Sequence, residues 1–198
     1  SEFQDITYGG GHFLALGTDG LLATSTDGIE WTARTIEQDG RLPATGYGAG
    51  QWLVAGRDGV VFTSPDLVDW VAQDSGTTSW LTGCGFGAGR FVLVGGTPSP
   101  RDGTLLVSTD GAEWHEAAGL EVSDWLLDVV YGGGKWVAVG KNGIVVHSTA
   151  LLPLWSLAAH ALGAGSVETD PSQTLYADGE EIVLRANRDA NWQFVRRG

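Results

Sequence analysis

Apolar residues fall along this chain in runs of four to six, broken by glycine and by Asx-Gly pairs, and the succession of runs and breaks recurs about every 39 residues. Each clear copy opens on an aromatic and a glycine turn: Tyr8-Gly9-Gly10-Gly11, Tyr47-Gly48-Ala49-Gly50, Phe86-Gly87-Ala88-Gly89 and Tyr131-Gly132-Gly133-Gly134. An apolar run ending in glycine follows, then an Asx-Gly turn, a second apolar run, Ser-x-Asp and a tryptophan. Runs this short between turn residues are strand spacing, and no helical period is sustained against them. In the first copy the pattern predicts strands at Asp5–Tyr8, Phe13–Gly17, Leu21–Ser25 and Trp31–Thr35, labelled A to D. Asp19-Gly20 between B and C is the signal of a two-residue hairpin with positive φ at both positions.

The Asx-Gly turn recurs at Asp58-Gly59, Asp102-Gly103, Asn142-Gly143 and Asp178-Gly179, and the distance from each Asx to its tryptophan is 12, 12, 12, 13 and 14 residues. That regularity predicts a fifth copy, with strands at 166–169, 174–177, 181–186 and 192–196 and Asp170-Pro171-Ser172-Gln173 in place of the glycine turn. A repeat of this length is one supersecondary unit stacked on its neighbours. The expectation is therefore an all-β, five-bladed β-propeller of four-stranded antiparallel blades, at about 3–38, 39–77, 78–120, 121–160 and 161–198, forming one domain. Each copy runs A to D without borrowing a strand, so blades one and five would meet by side-chain packing alone.

Charge excludes some partners. Eleven basic against 24 acidic residues give a net charge of −13. Nucleic acid and anionic membrane are poor partners for such a chain, because both are bound by neutralising phosphates. No apolar stretch is long enough to span a bilayer as a helix. The single cysteine, Cys84, lies between Gly83 and Gly85 and reads as a small core residue. Methionine is absent, which fits a processed or excised chain.

Ser25-Thr26-Asp27-Gly28-Ile29-Glu30-Trp31 and Ser108-Thr109-Asp110-Gly111-Ala112-Glu113-Trp114 are the best copies of the turn that ends each unit, and Ser64-Pro65-Asp66-Leu67-Val68-Asp69-Trp70 keeps Ser, Asp and Trp. The carboxylate can accept amides of its own turn, glycine relieves a strained position, and the tryptophan can pack beneath. This motif resembles the Asp-box, or BNR, repeat of sialidase-like propellers. Ser148-Thr149-Ala150 and Asn187-Arg188-Asp189 depart from it. The resemblance implies that Ser25, Asp27, Trp31, Ser64, Asp66, Trp70, Ser108, Asp110 and Trp114 are structural and lie on the face away from any active site.

The D–A and B–C connections share the opposite rim, where loops are free to carry function. Aligning the copies puts Arg41, Trp80 and Trp125 at matching D–A positions, with Asp124 beside Trp125. Neither tryptophan belongs to the strand pattern. The pair suits stacking against sugar rings or a protein hot spot, or caps the blade ends as core. The B–C side adds Arg57, Asp58, Lys141, Asn142 and the insertion Thr97-Pro98-Ser99-Pro100-Arg101-Asp102 in the third copy. Insertions on one face of a repeat array often mark its binding face.

Enzymatic signals are thin. A sialidase-like site needs converging arginines and a tyrosine–glutamate pair, yet Tyr8, Tyr47 and Tyr131 sit in the repeat register as blade packing. The four histidines show no ligand spacing. The sequence thus points to a non-catalytic, extracellular bacterial propeller, secreted or at the cell surface, that recognises a glycan or a protein through one rim, with no catalytic residue, cofactor or metal. Its layout is similar to that of tachylectin-type lectins. A glycoside hydrolase or lyase on the same fold, and a scaffold belonging to a longer protein, are the alternatives. A closed ring would be a monomer and an incomplete one a dimer.

Overall fold

The computed structural model describes residues 2–38, 40–117 and 122–148, together with strand backbone at 149–151, 154–159, 165–170, 176–177 and 183–188. Strands β1 (Phe3–Gly9), β2 (His12–Gly17), β3 (Leu21–Ser25) and β4 (Thr32–Thr35) form the first antiparallel meander. The second comprises β5 (Ala44–Gly48), β6 (Gln51–Ala55), β7 (Val61–Ser64) and β8 (Val71–Gln73), and the third β9 (Trp80–Gly87), β10 (Arg90–Gly96), β11 (Gly103–Ser108) and β12 (His115–Glu116). The fourth begins with β13 (Leu126–Gly132), β14 (Lys135–Gly140), β15 (Val145–Leu151) and β16 (Leu154–Ala159). These are the four-stranded units expected from the repeat. The B–C hairpins turn as predicted: Asp19, Asp58 and Asn142 have φ of 60°, 59° and 55°, and their glycines follow at 70°, 74° and 76°.

The core lies between blades. Strand B of each unit is apolar on both faces because alternate residues point to opposite neighbours. Trp52 and Val54 of β6 pack with Leu14, Leu16 and Leu22 of the first blade, while Leu53 and Ala55 pack with Phe91 and Leu93 of the third. Val92 and Val94 of β10 then face Leu126, Val129 and Trp136 of the fourth. Each fully buried leucine in these seams contributes about 2 kcal/mol.

The opening motif explains how the blades come this close. A Cβ added at Gly9 would lie 2.3 Å from the Tyr47 ring, one at Gly48 2.0 Å from the Phe86 ring, and one at Gly87 2.2 Å from the Tyr131 ring. The motif's aromatic in one blade thus lies flat on the motif's first glycine in the blade before. The glycines further along the motif serve the turn instead, as Gly50 and Gly89 do at φ of 75° and 73°. Cys84 seats against Gly46 in the same way and is a packing residue; burial is the main cause that pushes its thiol well above the ordinary range, with Asp5 and Asp128 adding to it.

The Ser-x-Asp turns satisfy themselves. The amides of Asp27 and Gly28 donate to Ser25 Oγ at 3.3 and 2.9 Å, and those of Ile29 and Glu30 donate to Asp27 Oδ1 at 2.8 and 2.9 Å. The same four bonds recur around Ser64 and Asp66 and around Ser108 and Asp110. Trp31 Nε1 and Trp114 Nε1 close their turns on the carbonyls of Gly28 and Gly111, at 3.2 and 3.1 Å. The second copy has Leu67 at φ 66° where the others have glycine, and Trp70 Nε1 has no acceptor among the described residues. Leu67 is buried in the seam with the first blade, which offsets its strained backbone.

Two expectations need correcting. Asp102-Gly103 is not the tight turn of the other copies: Gly96 pairs with Gly103, and the inserted residues bridge the two strands as a wider loop. The fourth copy lacks the Asp, as its sequence indicates, and β15 and β16 stay paired up to Leu151 and Leu154. The fifth copy is not a meander among the described residues. β17 (Gly165–Asp170) pairs with β19 (Val183–Arg188), while β18 (Tyr176–Ala177) adds to the edge of β16. The sequence there has neither the aromatic-glycine opening of the other four copies nor the Ser-x-Asp close of the first three. The expected fifth outer strand, 192–196, lies outside the described residues.

Gly87→Ala should destabilise the protein by about 3 kcal/mol through overpacking against Tyr131, read by denaturant unfolding. The carboxylates of Asp27, Asp66 and Asp110 are held below the ordinary 3.8 chiefly by backbone amides, first those of Ile29, Asp69 and Glu113. A depressed carboxylate stabilises above its unfolded value and loses that contribution as pH falls through its folded one. The melting temperature should therefore fall as pH drops below about 3.8, and Asp27→Asn with Asp110→Asn should flatten that fall.

Candidate functional site

The D–A linkers and B–C turns meet on one rim, held by backbone bonds. The Arg57 amide donates to the Arg41 carbonyl at 3.0 Å, Gly59 to Ser79 at 2.8 Å, Leu81 to Gly56 at 3.0 Å and Lys141 to Trp125 at 2.8 Å. The carbonyls of Arg41, Trp80 and Trp125 each lie within 2.3 Å of where a Cβ would stand on Gly56, Gly95 and Gly140 respectively. The three linker residues therefore occupy equivalent places, as the alignment of the copies predicts.

The two linker tryptophans touch. Their ring centroids are 5.4 Å apart at an interplanar angle of 70°, an edge-on pair worth about 1 kcal/mol beyond its buried area. Each carries a cation from the B–C turn of a neighbouring strand pair: the Arg57 guanidinium lies 4.6 Å from the Trp80 ring, and Lys141 Nζ 4.2 Å from the Trp125 ring. The rim thus presents a row of Arg57, Trp80, Trp125 and Lys141. Both indoles are half-buried, so the row is built into the rim and still reaches solvent.

Asp124 anchors one end of that row. Its carboxylate is 4% exposed and accepts the Trp125 amide at 2.8 Å and the Asn142 side-chain amide, with Arg101 at 3.9 Å. The insertion closes the other side, where Trp125 Nε1 donates to the Thr97 carbonyl at 2.6 Å. Asp58 pairs with Arg57 at 3.6 Å on the exposed surface. Arg41 and Asp102 take part through their carbonyls, and their side chains are exposed. Eight of the ten candidate rim residues therefore contribute side chains to one constellation.

Below the row runs a hydroxyl network absent from the sequence-based candidates. Thr104 Oγ1 donates to Ser79 Oγ at 2.7 Å, Thr77 Oγ1 to Ser79 Oγ at 3.0 Å and Ser75 Oγ to the Gly59 carbonyl at 2.6 Å. It ties the Trp80 linker to both adjacent blades. The polar tract Ser75–Ser79 was its only trace in the sequence.

Among the described residues no three His, Cys, Asp or Glu side chains are grouped to hold a metal ion. No helix among them is long and apolar enough to cross a membrane. A shallow hollow lined by Asp19, Thr35, Ile36, Glu37 and Gln38 lies in the first blade, away from the tryptophans.

Asp124→Ala should cost about 2 kcal/mol of stability by removing a buried charge-assisted acceptor, and should red-shift tryptophan emission as Trp125 loosens. Denaturant melts and fluorescence spectra check both.

No protein-family model matches the sequence, and no curated protein matches it either. Solved structures do share its fold. YCF48 bound to a D1 peptide matches at 16% identity with a TM-score of 0.58, over 84% of this chain and 56% of that one. YCF48 from Cyanidioschyzon merolae matches at 16% identity and a TM-score of 0.58, over 83% and 58%. The nidogen/laminin complex matches at 12% identity and 0.51, over 88% and 64%. The chain spans little more than half the length of the YCF48 chains, and its fold is of the β-propeller type.

Proposed function

We propose that this chain is a non-catalytic binding module that docks a protein segment on the rim of Arg57, Trp80, Trp125 and Lys141. The observation that carries this reading is the row itself. Two indoles set at 70°, each with a cation against it, do not make the flat platform on which sugar rings stack. They match the mixture of tryptophan and arginine anchors that dominates protein interfaces. Four of the chain's eleven basic residues, Arg41, Arg57, Arg101 and Lys141, stand on this rim of a protein of net charge −13. Against Asp58, Asp102 and Asp124 on the same rim they leave it slightly basic, which suits a partner that carries carboxylates. Binding of a peptide by YCF48 and the nidogen/laminin association, named for proteins of the same fold, support this use of the scaffold. We also propose that the three Ser-x-Asp turns are Asp-boxes, which places the structural motif and the binding row on opposite rims.

A peptide array and a glycan array probed with the protein test the reading. Saturable peptide binding should weaken at least tenfold in Trp80→Ala and in Lys141→Ala, with the melting temperature of the latter unchanged. A glycan-only signal, or peptide binding indifferent to both substitutions, would sink it.

A further inference from the structure

The binding row has a length as well as a composition. Its separations run 4.6 Å from the Arg57 guanidinium to the Trp80 ring, 5.4 Å between the two rings and 4.2 Å from the Trp125 ring to Lys141 Nζ. The two cations therefore stand at most about 14 Å apart, a span that an extended peptide, rising about 3.3 Å per residue, covers in about four residues. Both cations can turn to a partner. Arg57 is paired with Asp58 at 3.6 Å, but the two side chains are 54% and 70% exposed, and a pair so open to water is readily exchanged for another carboxylate. A cation on an indole face keeps its N–H donors for a carboxylate, because the ring attracts its charge without a directed hydrogen bond. The rim's buried acid, Asp124, is already compensated: it accepts the Trp125 amide and the Asn142 side-chain amide, with Arg101 at 3.9 Å.

The shape of the row selects a backbone as well. Four side chains in single file, with the two indoles at 70° to each other, make a narrow strip and not a groove. A helix would meet this strip over a cylinder about 10 Å wide, and two acids on one of its faces would have to be about seven or eleven residues apart to approach the span. An extended segment fits without that penalty. Its side chains alternate, so residues i, i+2 and i+4 face the row together. Acids at i and i+4 reach the two cations, and residue i+2 meets the indole pair between them.

We infer that the segment docked on this rim is an extended peptide of the form acid-x-apolar-x-acid, its two carboxylates divided between Arg57 and Lys141 and its central side chain set against Trp80 and Trp125. The inference rests on the rim being the docking site and adds the backbone, the spacing and the register of what docks there.

Calorimetric titration of the full chain with end-blocked synthetic peptides tests it. Each peptide carries two glutamates two, four or seven residues apart, with leucine among glycine and serine spacers. Affinity should peak at the separation of four, at least fivefold above the other two, and should weaken as salt is raised. Arg57→Glu and Lys141→Glu, whose melting curves report that they are folded, should each lose at least tenfold for the best peptide. Each should recover when one glutamate of the peptide becomes lysine, and the two variants should require opposite glutamates. Peptides that bind, and that Trp80→Ala weakens, but whose affinity is indifferent to spacing, best at seven, or rescued in both variants by the same lysine, overturn the inference and leave the rim as the docking site. Peptides that do not bind, or that bind regardless of Trp80→Ala, overturn both.

Discussion

Everything in this fold rests on how closely one blade approaches the next, and that distance is set by an aromatic ring lying on a bare glycine backbone. With the ring there, strand A of one blade sits near enough to its neighbour for the B-strand residues to interlock: Trp52 and Val54 on one side, Leu53 and Ala55 on the other. A methyl group at Gly9, Gly48 or Gly87 would lie inside the ring, at 2.0–2.3 Å, so the neighbour would have to move and the seam would open. Stability is then a sum of nearest-neighbour junctions, as in other repeat proteins.

Much of this was legible in the sequence, and the misreadings have physical causes. The alternation of apolar runs with glycine and Asx-Gly turns located the four strands of the first blade to within two residues, because turn chemistry is local. The Tyr-Gly-x-Gly motif was legible as a turn but not as a junction. Its first glycine serves an aromatic of the next blade 38 or 44 residues away, and nothing local distinguishes it from the glycines beside it. Asx-to-tryptophan spacing overreached at the fifth copy. A hairpin signal such as Asp178-Gly179 says two strands are near, but it carries no aromatic seat of the kind that joins the other four units. At Asp102-Gly103 the same dipeptide ends a longer loop, with Gly103 already paired in β11, since the inserted residues relieve the need for positive φ.

The rim follows from the junctions. Trp80 and Trp125 are 45 residues apart and belong to different blades, so the sequence could place them at equivalent positions but not in contact. Contact comes from the angle between the third and fourth blades and from the insertion, whose Thr97 carbonyl receives the Trp125 indole. Asp124 holds the Trp125 amide and Asn142 and lies 3.9 Å from Arg101, while Lys141 and Arg57 lie against the two indoles. The Ser-x-Asp turns, by contrast, satisfy their own carboxylates and offer little to a ligand.

A double-mutant cycle on Gly48 and Phe86 measures the junction most directly. Gly48→Ala should destabilise the wild type by about 3 kcal/mol but be close to neutral once Phe86→Ala has removed the ring, giving a coupling of about 2 kcal/mol or more. Additivity within about 0.5 kcal/mol would show that the ring does not sit on the glycine, and the account of how these blades are held together would be wrong.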